Sequence, residues 1–297
     1  MAAKSEYSYR LRSVAVGIWN YQLLNVFAES PLGGNPLCVV EQAEGLSDTQ
    51  MQALALQFNL SETVFLLRSE QANAHMRIFT PGAEMAFAGH PSIGSAAAVS
   101  RLQGDLQQLT LACRAGLVPL DQQNGIWYFS PPKAAEITPV SVPAAEMAAA
   151  LGLQEDDLAA APVWVNTGSD QVLVALKSAD ALRRAWLDAA KLACWPRSSV
   201  GRRTVFLFVP DEAEITARYF FERPNGGTGE DPATGSACAN LGAWLHHFRP
   251  ADSERQWKVW QGAQAGRPSC LYLQVSPQGQ IRVGGKVVFF ASGSFTL

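Results

Sequence analysis

The sequence predicts an α/β protein built from two similar domains. The first observation is the length, because 297 residues suit two domains of roughly 150 residues each. The second is an internal repeat: residues 61–98 and 202–239 align without a gap, with Thr63 on Thr204. A repeat period close to half the chain indicates two copies of one domain, whereas a solenoid needs several short repeats.

Identities in separate clusters, all at the same offset, support the repeat. The matching residues are Thr63-Val64-Phe65-Leu66 with Thr204-Val205-Phe206-Leu207, Arg77 with Arg218, Phe79 with Phe220, Pro91 with Pro232, and Gly94-Ser95-Ala96 with Gly235-Ser236-Ala237.

Each copy of the repeat has the pattern strand, strand, helix. In the first copy, β-branched and apolar residues predict strands over 63–67 and 76–80, and Pro91 precedes a small-residue helix over 92–99. In the second copy, Asp231 has the residue type of a helix N-cap, before a helix through 237–245. We expect further strands over 21–27, 37–41, 109–111, 126–129, 163–165, 171–175, 258–260, 270–275 and 280–288, helices over 47–58, 144–151 and 179–187, and linkers at 131–132 and 139–143.

The composition is that of an ordinary globular protein. Hydrophobic residues make up 48% and charged residues 16%, with a net charge of −3, which argues against disorder and against a basic nucleic-acid-binding face. The absence of an 18-residue apolar run predicts no transmembrane helix. The polar segment from Met1 to Arg12 lacks the apolar region of a signal peptide.

The cysteines predict a reduced, cytoplasmic protein. Cys38, Cys113, Cys194, Cys238 and Cys270 are odd in number, are widely spaced and form no CxxC pair, so a disulfide framework is not expected.

Other common chemistries lack their motifs. The four histidines are not spaced as metal ligands, and no phosphate loop or dinucleotide-binding fingerprint occurs. The GHPSIG segment has one residue too many for a nucleophile elbow. We therefore predict no metal and no cofactor.

The two repeated helices offer candidate anion sites at their N-termini. Free backbone N–H groups and the positive end of the helix dipole would bind a substrate carboxylate, through amides around Gly94 and Ser95 or around Gly235 and Ser236. The alternative is that these helix ends bind only water or a cap, as most do.

The polar residues that differ between the two copies are the candidate acid and base. The repeat offset matches Glu62 with Arg203 and His90 with Asp231, so acid and base groups are distributed asymmetrically on a symmetric frame. Proton transfer on one face of a substrate needs such an arrangement. The alternatives are a solvated Glu62 at a strand edge, a structural His90 and an Asp231 that only caps a helix.

Six motifs resemble those of the phenazine-biosynthesis PhzF-like family, which shares the diaminopimelate epimerase fold. They extend from about Val26 to Phe295 and read NVFAESPLGGNPLCVV, LSETVFLL, RIFTPGAEMAFAGHPSIGSA, ARYFFERPNGGTGEDPATGSACANLGAWL, QGAQAGRPS and VGGKVV.

The resemblance implies two domains, each a curved, mostly antiparallel sheet around a central helix. We place the first domain at 15–130, joined by a C-terminal strand over 288–297, and the second at 131–287. The resemblance also implies a homodimer. It implies an isomerase that moves a proton between carbons of a small cyclic carboxylate, without metal or cofactor.

The resemblance also assigns roles to residues. Glu62 would remove and return the proton, with His90 and Asp231 beside the reacting substrate. Four further residues would line the carboxylate and amine sites: Ser61, Gly89, Gly235 and Ser236.

The sequence departs from its relatives at two places. Related epimerases use a cysteine in each half, but residues 87–89 and 231–233 contain none. A single carboxylate is therefore the better candidate base, and we expect it to be shielded from bulk water. The family usually has aspartate where this chain has Asn25. Two alternatives to the isomerase remain: a non-catalytic binding protein on the same frame and, ranked last, a hydrolase using Ser95 or Ser236.

Overall fold

The computed structural model describes residues 17–223 and 226–297. The expectation for Met1 to Arg12 and the predicted domain start at residue 15 lie outside these residues. The first half contains β1 (Ile18–Val26), β2 (Asn35–Val40), α1 (Asp48–Phe58), β3 (Glu62–Leu67), β4 (Ala74–Phe79), β5 (Glu84–Met85), α2 (Gly89–Leu102), β6 (Gln108–Cys113), β7 (Gly116–Gln123) and β8 (Ile126–Phe129).

The second half repeats this order from β10 to β17. It contains β9 (Glu136–Pro139), α3 (Ala144–Ala150), β10 (Val163–Asn166), β11 (Asp170–Ala175), α4 (Ala179–Arg184), β12 (Thr204–Val209), β13 (Glu214–Glu222), β14 (Thr228–Asp231), α5 (Gly235–Phe248), β15 (Arg255–Gln261), β16 (Ser269–Val275), β17 (Ile281–Gly285) and β18 (Val287–Thr296), with short 3-10 helices at Glu155–Asp157 and Ala189–Cys194.

The sheet is mostly antiparallel, as predicted, and its pairing pattern occurs twice. In the first half β2 is antiparallel to β1 and parallel to β3, and β4 is parallel to β6. In the second half β11 is antiparallel to β10 and parallel to β12, and β13 is parallel to β15. The strands of each half contact one central helix, α2 or α5. The repeat therefore corresponds to two structural copies, as the sequence predicts.

Two strand pairings join the halves. The C-terminal strand β18 pairs with β1, and β17 pairs with β8. The residue limits of the two domains remain a prediction.

Several element boundaries differ from the predicted ones. Pro139 ends strand β9 and does not belong to a linker, which is compatible with a strand at the sheet edge. Helix α4 ends at Arg184, and the strand predicted over 280–288 is interrupted at Lys286. Strands β5, β7, β9 and β14 were not predicted, because they are short or contain proline.

The repeat is not gapless in three dimensions. Arg77 pairs with Glu84 and Arg218 with Glu230, so the arginines are 141 positions apart and their glutamates 146. The second hairpin is thus five residues longer.

The longer hairpin changes which residues of the two halves are equivalent. Helices α2 and α5 both have 14 residues and begin at Gly89 and Gly235. His90 therefore corresponds to Ser236, and not to Asp231 as the ungapped alignment predicts. Asp231 corresponds to Met85, because they pair with equivalent residues of β13 and β4.

The central helix α2 should contribute strongly to stability through its buried face. Ile93 is fully buried, whereas Leu102 on the same helix is half exposed. We expect Ile93→Ala to lower the free energy of unfolding by about 2–5 kcal/mol, because it leaves a cavity in the core. Leu102→Ala should change it by at most about 0.5 kcal/mol. Denaturant unfolding measures both, and equal losses would contradict the position of α2.

Candidate active site

The N-termini of the two central helices meet. A Cβ atom built on Gly235 would lie 3.5 Å from the backbone nitrogen of His90 and 3.6 Å from the carbonyl carbon of Gly89. Neither N-cap residue, Ala88 or Thr234, makes a side-chain capping hydrogen bond to its helix. The backbone N–H groups and positive dipole ends of both helices are thus available to one anion.

Phe27 fills the space beneath these helix ends. Its side chain is fully buried, and a Cβ built on Gly235 would lie 3.3 Å from its ring. Its backbone has a φ of 61°, an unfavourable conformation for an aromatic residue, and its carbonyl accepts a hydrogen bond from Cys270 N–H of the other half (2.9 Å). The strained residue therefore links the halves directly below the site. Sequence reasoning did not single it out.

Glu62 and His90 form a hydrogen-bonded pair. Glu62 begins β3 and His90 lies in the first turn of α2, with 2.9 Å between Glu62 Oε2 and His90 Nδ1. The His90 side chain is buried, while the Glu62 side chain is 18% exposed. The carboxylate is therefore largely, but not fully, shielded from bulk water, and the imidazole fixes its orientation.

Asp231 belongs to the same cluster. Burial, followed by the nearby charge of Glu62, raises the pKa of Asp231 to about 7. Hydrogen bonds from Thr234 and Asn35 and the charge of His90 act in the opposite direction. The structure thus brings together the three residues predicted to be catalytic.

Asp231 does not cap α5, because it ends strand β14 and Thr234 is the N-cap residue. The Thr234 hydroxyl donates a hydrogen bond to Asp231 Oδ2, and Asn35 Nδ2 donates one to Oδ1 (3.0 Å). The side-chain amide of Gln261 donates to the backbone carbonyl of Asp231 (2.7 Å). Sequence analysis missed the roles of Asn35, Thr234 and Gln261, although each lies in or beside a quoted motif.

The residues predicted to bind the carboxylate separate into two groups. Gly89 and Gly235 begin α2 and α5, and Ser236 is in the first turn of α5, where its hydroxyl accepts a hydrogen bond from Gln171 (2.9 Å). Ser61 is exposed and immediately precedes β3. These four residues remain candidates.

Gly94 and Ser95 are not at a helix end. Helix α2 begins at Gly89, so their amides lie in its second turn, beyond the N–H groups that an N-terminus leaves free. A Cβ built on Gly94 would lie 2.4 Å from the Leu37 side chain. The prediction that these two residues hold a carboxylate is therefore wrong.

The cysteines do not replace the thiols of the related epimerases. All five are free, and Cys238 is buried in α5, where burial raises the pKa of its thiol. A neutral thiol is a poor base, which is consistent with a carboxylate base.

Asn25 has a defined role. Its Oδ1 accepts a hydrogen bond from Arg267 Nη2 (2.8 Å), and its Nδ2 donates to the Pro31 carbonyl (2.8 Å). An aspartate would keep the first interaction but place its second oxygen against the Pro31 carbonyl. Burial lowers the pKa of Arg267.

Residues 17–223 and 226–297, which the structure describes, contain no group of three or more His, Cys, Asp and Glu side chains that could hold a metal ion. None of their helices combines the length and apolar character needed to cross a membrane.

Several proteins with related sequences are named isomerases. The family model for phenazine biosynthesis-like protein (PhzC-PhzF) matches residues 24–293. An uncharacterized isomerase of Pasteurella multocida is 38% identical over 92% of each chain. The trans-2,3-dihydro-3-hydroxyanthranilate isomerase of Pseudomonas aeruginosa is 34% identical over 92% of this chain and 98% of its own. A PhzF-family crystal structure from Bacillus anthracis has a TM-score of 0.82 and 26% identity, covering 95% of this chain and 100% of that one.

The relatives and the fold define an isomerase with a diaminopimelate epimerase-like architecture, as predicted. The chain belongs to the phenazine biosynthesis-like PhzC-PhzF family.

The raised pKa of Asp231 predicts a specific dependence of stability on pH. Because the folded protein binds this proton more tightly than the unfolded chain, its contribution is complete below the unfolded pKa of about 4 and is lost as pH rises through about 7. We expect Asp231→Asn, which does not titrate, to gain roughly 1–3 kcal/mol relative to the parent protein between pH 5 and pH 8.

Denaturant unfolding at the two pH values measures this difference. The exposed Asp105→Asn variant is the control and should follow the parent protein. A constant difference between Asp231→Asn and the parent would show that Asp231 has an ordinary pKa.

Proposed function

We propose that the chain catalyses a cofactor-independent proton shift between two carbons of a small, unsaturated cyclic amino-carboxylate. The observation that carries this proposal is the Glu62–His90 pair beside Asp231, at the meeting point of two uncapped helix N-termini. The printed activity of the Pseudomonas aeruginosa relative, on trans-2,3-dihydro-3-hydroxyanthranilate, supports the substrate class.

The substrate carboxylate would bind where the helices meet. Backbone N–H groups at Gly89, Gly235 and Ser236 would donate to it, and the two helix dipoles favour its negative charge. Ser61 beside Glu62 would contact another polar group of the substrate. Such anchoring would hold the reacting carbon at a fixed distance from the base.

Glu62 would transfer the proton. Its carboxylate removes a proton from one carbon, the C–H electron pair forms a new double bond, and the displaced π electrons take a proton at the other end of the allylic system. The same carboxyl group returns that proton, so the reaction needs no oxidant or reductant. The hydrogen bond from His90 keeps the carboxylate oriented during both steps.

Asp231 would hold a second, exchangeable proton. A carboxyl group with a pKa of about 7 is close to half protonated at neutral pH, so it can interact with a substrate amine or hydroxyl in either state. Glu62 and Asp231 therefore have different tasks, set by different surroundings.

The same frame would also fit a binding protein that has lost its reaction. Solvent deuterium distinguishes the two, because only an enzyme that breaks a C–H bond incorporates it into the substrate. The hydrolase alternative gains no support, since the Ser236 hydroxyl is hydrogen-bonded by an amide donor, and not by a base.

Replacement of Glu62 tests the proposal. We expect Glu62→Gln to lower kcat on trans-2,3-dihydro-3-hydroxyanthranilate, and deuterium uptake from D₂O, by at least about 10³-fold, because the amide is not basic. The far-ultraviolet circular dichroism spectrum should not change. Glu136→Gln, at an exposed position on β9, is the control and should retain full activity. A fully active Glu62→Gln variant would exclude Glu62 as the base.

We further propose that the protein is a cytoplasmic homodimer. Within the described ranges, β18 pairs only with β1, so its other edge is open, and Phe290 on this strand is 55% exposed. An open, apolar edge strand is suited to antiparallel pairing with its copy across a two-fold axis.

A charge on this edge should weaken the dimer. We expect sedimentation velocity to show a dimer for the parent protein and for Phe248→Lys, which alters an exposed phenylalanine at the end of α5. Phe290→Lys should shift the population towards monomer, because the dimer would bury the charge. A dimeric Phe290→Lys protein would exclude this edge as the interface.

A further inference from the structure

Asn35 connects the first half of the protein to Asp231 in the second. It begins β2, opposite Val26 of β1, and its side chain is almost fully buried. Its Nδ2 atom lies 3.0 Å from Asp231 Oδ1 and 3.0 Å from the backbone carbonyl oxygen of Ala233. One amide group therefore contacts both the carboxylate and the turn that follows it.

We propose that Asn35, from the first half of the protein, is a positioning residue that holds the Asp231 carboxylate of the second half in place for its task in proton transfer. This inference rests on the proposed function for the catalytic task of Asp231. The contact itself, and its effect on the carboxylate, do not depend on the identity of the substrate.

The orientation of the Asn35 amide is determined by its partners. A backbone carbonyl such as that of Ala233 can only accept a hydrogen bond, so the group facing it must be the NH₂ group. The second proton of the same NH₂ group is then directed at Asp231 Oδ1. A flipped amide would place its oxygen against two acceptors.

The segment before Asn35 is itself fastened to the second half. Gly34 N–H donates to the Pro268 carbonyl (2.9 Å), and Arg267 Nε donates to the Gly34 carbonyl (2.7 Å). Gly34 has a φ of +75°, and a Cβ there would lie 2.5 Å from the Val26 carbonyl oxygen, so glycine is needed for this approach. Asn35 is therefore presented to Asp231 by a fixed backbone.

Several other groups also act on the Asp231 carboxyl. Glu62 from β3 raises its pKa, His90 from α2 and the hydroxyl of Thr234 lower it, and Tyr219 is its neighbour on β13. Asn35 is the contribution from β2, and it favours the ionised carboxylate because it donates a hydrogen bond. Loss of this donor should raise the pKa of Asp231 further.

Carbon-13 NMR of labelled aspartate side chains tests the inference, with Asp231→Asn used to assign the Asp231 signal. We expect Asn35→Ala to raise the midpoint of the Asp231 titration by about one pH unit, the effect of losing one charge-assisted hydrogen bond. Asn73→Ala removes a hydrogen-bonded asparagine side chain from the protein surface and is the matched control, with no expected shift. An unchanged midpoint in Asn35→Ala would overturn the proposal.

A measurement on the unaltered protein covers the case in which Asn35→Ala does not fold. The side-chain ¹H and ¹⁵N signals of Asn35 should titrate with the same midpoint as Asp231, because the two groups share a hydrogen bond. Signals that remain constant across that pH range would contradict the contact.

Kinetics then separate positioning from a purely structural role. On trans-2,3-dihydro-3-hydroxyanthranilate, Asn35→Ala should lower kcat about 10- to 100-fold and change KM less. The pH profile of kcat/KM, which reports the free enzyme, should shift by the same interval as the Asp231 titration measured by NMR. A loss of kcat without that shift would overturn the positioning role. If the NMR results hold but the parent protein shows no turnover or deuterium uptake, the proposed function fails while the contact stands.

Discussion

The meeting of two helix N-termini is the interaction on which the rest of the structure depends. Each end carries a partial positive charge and several unpaired N–H groups, so two of them in contact require an anion or polar groups nearby. A Cβ atom at position 235 would be in van der Waals contact with the backbone of Gly89 and His90, and Phe27 fills the space below. The carboxylates of Glu62 and Asp231 lie beside this positive region. The duplicated fold thus brings two positive helix ends together, and the proposed binding of a substrate carboxylate rests on this feature.

Catalysis on one face of a substrate requires that this symmetry be broken, and the chain breaks it in two ways. At one position the residue type differs, since strand pairing places Thr204 in the second half where the first half has Glu62. At another the backbone differs, because a hairpin longer by five residues brings Asp231 to the site where the first half has Met85. In the proposed function the symmetric frame would bind the substrate anion, while these local changes would supply the asymmetric acid and base.

Much of the fold could be predicted from the sequence, because short apolar strands and small-residue helices are local patterns. The three catalytic candidates also lie close to the repeated turns. The ungapped alignment wrongly matches His90 with Asp231, because it hides the longer hairpin of the second half. The true equivalent of His90, Ser236, could not be predicted from the sequence. The role of Asn35 was equally hidden, since its partner lies 196 positions away and only the paired sheet brings them together. Contacts of this kind depend on register, which single-sequence patterns do not specify.

The protonation of the site follows from this arrangement. Two carboxyl groups in a partly buried space cannot both remain ionised at no cost, so one of them takes up a proton more readily. The structure assigns that proton to Asp231, where burial and the charge of Glu62 outweigh the hydrogen bonds from Asn35 and Thr234. Those hydrogen bonds nevertheless limit the rise of the pKa to about 7. A carboxyl group with this pKa gains and loses its proton near neutral pH. At that pH a fully desolvated carboxyl group would stay protonated, and a solvated one would stay ionised.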